Sequence, residues 1–342
     1  MASEKMGIKH DLVPQRRESM LTRFCPSLLA FGFCNRAGYF FSRFQSSGDK
    51  GDLERAIDYD RKVLSLRPIG HPKRHDSLLN LAAVVRSRFD RWGGVDDLQE
   101  AISHSREALA LCPKGHPDRA RALRAAAHTL NSSYLHSHEA HELDEAIRYA
   151  REAVALCPAG HSSHAPSLDN LAVTLFALYQ KSDRLGDLQE CIRCSRESVA
   201  LRPRRNSARA TALNNLAIAL QSRYNDRKEV ADLEEVIKNA REALSLRPVG
   251  RPRRATSLAT LANGLQSRGR VADMEESMVH YREALTLCPF GHRDHVTCLR
   301  NLSGALKSWH AQTRRSEDLE EARKYERHAV ALKDHGHPDP SF

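Results

Sequence analysis

Pro68 is followed by prolines at 113, 158, 203 and 248, each 45 residues after the last, and then by Pro289 after 41. A second column keeps the same interval. Asp52-Leu53, Asp97-Leu98, Glu142-Leu143, Asp187-Leu188, Asp232-Leu233, Asp273-Met274 and Asp318-Leu319 are spaced 45, 45, 45, 45, 41 and 45 residues apart. Two unrelated columns sharing one period and one four-residue deletion define a tandem repeat. A chain of 342 residues would otherwise suggest about two domains. A repeat instead grows by stacking units, each contacting its neighbours.

The stretch 206–248 shows the unit. Leu213, Leu216, Ala217 and Leu220 fall at i, i+3, i+4 and i+7, the apolar stripe of a helix. A second helix is expected to start near Asp232, with Glu235 completing a capping box, and to end at Pro248. Small residues recur at Ala82, Ala127, Ala172, Ala217 and Ala262, where two helices must approach closely. The deletion, between 266 and 273, is expected to shorten the connection inside one hairpin. The first copy is worn, with Arg36 where later copies carry Leu81 or Leu216, as suits a terminal unit. The expectation is an all-α, right-handed α-solenoid of about seven hairpins over 31–333, between tails at 1–30 and 334–342.

The stripe, the small residues Val236, Ala240 and Ala243 on the second helix, and its closing proline resemble the tetratricopeptide repeat (TPR). That repeat has 34 residues. The surplus is expected in the connections, about seven residues inside the hairpin and four between hairpins. Gly70-His71-Pro72, Gly115-His116-Pro117-Asp118-Arg119 and the L-x-N-L-A of 78–82 and 168–172 are similar to the kinesin light-chain type. The period also resembles long fungal TPR arrays, many of which precede a caspase-like CHAT protease domain. The resemblance implies a protein–protein interaction scaffold without chemistry, binding peptides or partner domains in a concave groove. Two other readings stay open: the recognition part of a CHAT-type or signalling protein without its effector, and a helical-repeat RNA binder.

In such arrays the groove is lined by the first helices. Asn80, Asn170, Asn215 and Asn301 recur one residue before the core leucine, about 100° off the stripe. An amide both donates and accepts, which suits it to a peptide backbone; it suits bonding to a neighbouring helix equally. Asn214, Asn263, Arg86, Asn131, Gln221, Gln266 and Lys307 complete the expected lining, with Phe176 as an apolar anchor.

Little else suggests chemistry. The histidines 71, 116, 161, 292 and 337 form a ladder in the inter-repeat turns. Stacked repeats are ~8–10 Å apart, too far for one ion to bridge rungs. His136, His138 and His141 lack the H-E-x-x-H order, and Cys191/Cys194 stand without a second pair. No phosphate loop or nucleophile elbow occurs, so no enzyme, cofactor or metal is expected. Cys112, Cys157 and Cys288 alternate with Arg67, Arg202 and Arg247 before the prolines, which suggests a partly exposed site. The net charge of +10 favours acidic partners weakly. The arginines of 202–209 and Arg251, Arg253 and Arg254 form the densest basic patch, with few aromatics to stack bases. No signal peptide or 20-residue apolar run is present, so the expected location is cytoplasmic and off the membrane. The last stripe, Ala322, Ala329 and Leu332, has no following unit; it is expected to be exposed, either for self-association or because the gene product is truncated.

Overall fold

The computed structural model describes residues 26–204, 206–249, 253–290, 292 and 294–334. These form seven antiparallel hairpins and no strand. They are α1 (Pro26–Ser47) with α2 (Lys50–Ser65), α3 (Arg74–Trp92) with α4 (Val95–Ala110), and α5 (Arg119–Ser137) with α6 (Ala140–Ala155). Next come α7 (His164–Ser182) with α8 (Leu185–Ala200) and α9 (Ser207–Arg227) with α10 (Val230–Ser245). The last two are α11 (Arg254–Arg268) with α12 (Val271–Leu287) and α13 (His295–Thr313) with α14 (Ser316–Asp334). Each helix packs on its hairpin partner and on the next hairpin, giving the expected solenoid. The tail boundary expected at 30 falls inside α1, whose Leu29 and Ala30 are buried; the other expected tail lies outside the described residues.

The surplus over 34 residues is not in the hairpin connections. The first helices α3, α5 and α7 have 19 residues and α9 has 21, and only two residues join each to its second helix. The first of the two is left-handed: Gly93 at φ 77°, His138 at 59°, Asp183 at 57° and Lys228 at 57°. Its N–H bonds the carbonyl four residues back, closing the helix. The deletion likewise removes a turn of helix rather than loop. The helix α11 has 15 residues, yet Gly269-Arg270 still makes a two-residue connection. Four residues are close to one 3.6-residue turn, so the buried face keeps its heading.

The expected capping box at Asp232 and Glu235 is corrected as well. The helix α10 starts at Val230, and Asp232 lies buried in its first turn, held by Arg223 through contacts of 2.5 and 2.7 Å. Arg43–Asp52, Arg88–Asp97 and Arg268–Asp273 repeat the arrangement. Glu235 instead takes Arg196 of the preceding hairpin at 2.6 Å. The acid column that marks the repeat therefore anchors the end of the first helix, buried at Asp52, Asp232 and Asp273 and half-buried at Asp97.

The column before the prolines is buried at five of its six positions and partly exposed only at Arg67. Cys112, Cys157 and Cys288 are at most 1% exposed, and Arg202 and Arg247 are 7% exposed. Arginine is tolerated because the hairpin supplies partners, Asp169 for Arg202, and Ser257 and Thr211 for Arg247. The same economy removes most of the expected basic patch. Arg209 pairs with Glu242 and Arg254 with Glu283, while Arg205 and Arg251 lie outside the described residues.

The stripe of α14 is also corrected. Ala322, Ala329 and Leu332 are buried on α13, because small residues of a second helix face their own partner. The outward side carries Arg323, Lys324, Glu326 and Arg327 with Val330 as an exposed apolar residue among them. The basis for self-association through that stripe is gone.

Candidate binding groove

Curvature decides which residues line the groove. The first helices of consecutive hairpins pack on one another from α3 to α13, so they lie on the inside of the bend. The second helices meet across hairpins through long side chains. Arg61–Glu100, Arg106–Glu145, Arg151–Glu190, Arg196–Glu235, Arg241–Glu276 and Arg282–Glu321 form a half-exposed ladder along the outer side. A third set locks each hairpin to the one before. Arg74, Arg119, Arg209 and Arg254 donate to the carbonyl seven residues back and to Glu107, Glu152, Glu242 and Glu283 on the following helix. His164 stands between the same two partners, its Nδ1 2.6 Å from the Cys157 carbonyl and its Nε2 3.0 Å from Glu197. Histidines 71, 116, 161 and 292 each accept the amide two residues on, as turn-stabilising side chains.

On the inner side the expected lining divides. Asn80 accepts from Arg121 at 2.7 Å, and Arg121 also holds Asp76. Asn170 donates to the Arg124 carbonyl at 3.4 Å and leaves its oxygen buried without a partner. Asn215 and Asn301 are half-buried and make no hydrogen bond within the described residues. Asn131 and Asn214 are 3% and 2% exposed, so the neighbouring hairpins cover them; the Asn131 oxygen and both amide atoms of Asn214 have no partner. Gln221 donates to Asn225 and Ser267 but keeps an unpartnered oxygen. Gln266 bonds Ser308, and with Asn263 it receives the Tyr281 hydroxyl. Arg86 pairs with Asp90 and Lys307 with Glu326. Phe176 is half-buried beside Tyr179.

Three arginines outside the expected groove lining share this side, and of these only Arg253 was expected in a basic patch. Arg124 occupies the Asn214 column, and its Nε is buried without a partner. Arg91 and Arg253 make no ion pair within the described residues. Charges also reach across the bend. Arg253 senses Arg86 and Asp90, and Arg91 senses Cys288 and Asp294, about 200 residues away in sequence. The array thus curls until its second hairpin faces the sixth and the start of the seventh. His128 stands open to water in this space, yet the Arg86 charge and the surrounding protein push its pKa down to about 4. The interior is electropositive. The C-x-x-C pair is inert by the same physics: burial lifts Cys191 to about 12 and Cys194 to about 11, so neither is a thiolate at neutral pH.

The family model described as "Tetratricopeptide repeat" matches residues 165–199 and 209–247, the hairpins α7–α8 and α9–α10. These two hairpins are tetratricopeptide repeats, and the other five share their helical-hairpin architecture. No curated protein matches this sequence. Among solved structures it is similar to human IFIT1, crystallised as a dimer with PPP-AAAA, at 14% identity over 92% of this chain and 66% of that one, with a TM-score of 0.57. A Thermus thermophilus TPR protein, TTC0263, is 16% identical over 68% of this chain and 99% of that one, at 0.49. Nearly identical TPR-like repeats from Podosopora anserina, given a provisional kinesin light-chain name, are 19% identical over 64% and 97%, at 0.44. At these identities the likeness is one of fold. Among the described residues no helix is long and apolar enough to cross a membrane.

Proposed function

We propose that this TPR array is a non-catalytic scaffold that holds an extended acidic peptide segment along its concave groove. One observation carries the reading. Buried polar atoms without partners are rare in native proteins, because each costs ~1–3 kcal/mol. On the first helices that face the bend they include Arg124 Nε, Asn170 Oδ1, Gln221 Oε1 and Thr297 Oγ1, each on a residue that keeps partial exposure. They lie on α5, α7, α9 and α13, along the line an extended chain would follow, and an extended chain presents a donor and an acceptor at each residue. The unpaired Arg91, Arg124 and Arg253 favour acidic side chains over basic ones.

The test is selection of peptides on the full chain, followed by an Asn170/Asn215/Asn301→Ala variant. Each lost hydrogen bond is worth ~0.5–1.5 kcal/mol, so the triple variant should weaken a selected acidic peptide at least ~10-fold by calorimetry. Unchanged affinity would remove the groove reading.

Single-stranded RNA is the second reading, since the same cations suit phosphates and a protein of this fold is crystallised with PPP-AAAA. Phosphate binding must weaken steeply with salt. An oligonucleotide that fails to bind at low salt, while the peptides bind, decides for the peptide.

A further inference from the structure

The turn between the second and third hairpins brings together side chains that neither the repeat nor the groove requires. Cys112 is fully buried, His75 is 7% exposed, and both lie within 4.8 Å of His116 and of each other, measured between ligand atoms. His75 Nε2 also stands 3.2 Å from Asp118 Oδ2. A sulfur, two imidazoles and a carboxylate thus converge from the end of α4, the turn after it and the first turn of α3. We propose that His75, Cys112, His116 and Asp118 form a tetrahedral zinc site that staples the second hairpin to the third.

The donor set is of the kind zinc selects, mixed soft sulfur and imidazole with one carboxylate. Zinc bonds of ~2.0–2.3 Å place neighbouring ligand atoms ~3.3–3.8 Å apart, so the His75–Cys112–His116 spread of up to 4.8 Å closes by about 1 Å, and Asp118 approaches from its contact with His75. The nearby cations are already neutralised, Arg121 by Asp76 and Arg119 by Glu152, each at 2.7 Å. There is one cost. His116 Nδ1 accepts the Asp118 amide at 3.1 Å, and a neutral ring has a single lone pair. Binding exchanges that hydrogen bond for a metal bond. The array also contains its own comparisons. The turn at Cys157 keeps His161 but has Ser163 and Ala120 where Asp118 and a ligand equivalent to His75 would stand. The turn at Cys288 keeps His292 and Asp294, but Ala255 replaces the His75 ligand and the unpaired Arg91 acts on both Cys288 and Asp294.

Titration of the metal-free full chain with Co²⁺ and Zn²⁺ tests this. The expected result is one equivalent of Co²⁺ with a thiolate-to-cobalt charge-transfer band, displaced by Zn²⁺, and a thermal midpoint that rises with zinc. Cys112→Ser should abolish the band. His75→Gln should weaken zinc binding beyond the ~10–100-fold that loss of an outer-shell partner costs. Cys157→Ser and Cys288→Ser should leave both unchanged. Metal-free melting of each variant separates lost binding from lost folding. No charge-transfer band in the wild type, or a band that survives Cys112→Ser, overturns the site.

Discussion

Replacing Asp169 by alanine is expected to lower stability by ~3–5 kcal/mol, measured by chemical denaturation, because it leaves the Arg202 guanidinium buried without a counter-charge. Arg202 reaches Asp169 at 2.5 and 3.1 Å and the Ser198 carbonyl at 3.1 Å, and its side chain is 6% exposed. Burial raises the Asp169 carboxyl pKa despite this partner, although its side chain keeps 23% exposure and the guanidinium is the more deeply buried of the two. The array contains its own solution to the same space. In the second hairpin the two positions are Leu79 and Cys112, packed in one apolar cluster. Asp169→Leu with Arg202→Cys should therefore recover most of the loss, since a buried ion pair exchanged for apolar residues of fitting size is often neutral or better. A double variant no more stable than Asp169→Ala would show that the pair does more than fill the space. In a one-dimensional array the damage sits at the fourth hairpin, between both halves, and should appear as a split transition.

The second large effect depends on pH. Asp60 is 4% exposed on α2, in a column occupied by Ser105, Ala150, Ser195 and Ala240 in other hairpins. It makes no hydrogen bond or ion pair within the described residues, and burial pushes its pKa up to about 7. The unfolded chain releases that proton near the ordinary value of about 3.9. Between these values the folded state holds more protons, so the native protein loses stability as pH rises from about 4 through 7. At about 1.4 kcal/mol per tenfold change in proton affinity, the loss is on the order of 2–4 kcal/mol by pH 8. Asp60→Ser should raise the thermal midpoint at pH 8 and change it little at pH 4. An equal change at both pH values would refute the assignment to ionisation.

The repeat, the two helices per unit and the packing columns were legible because they depend on spacing alone. The column Ala82, Ala127, Ala172, Ala217 and Ala262 is buried to 1% or less, as helix contact demands. The groove was legible only in part. An angle of 100° off the stripe describes a residue within its own hairpin, whereas burial in a solenoid is decided by the next hairpin. Hence Asn215 stays half-open while Asn214, beside it, is covered. Charged residues misled in the same way. The arginines at 202, 209 and 254 read as a basic patch, but their acidic partners lie 29 to 33 residues away in sequence.

By itself the sequence determined that this chain is an array of helical hairpins, since a period of 45 residues with helical stripes has no other way to bury its apolar faces. Only the tertiary structure decided where the surplus length went, which cations remain unpaired, and that the array curls until Arg91 and Asp294 sense each other. Those outcomes follow from small rotations between neighbours, added over successive hairpins, and no single repeat records their sum.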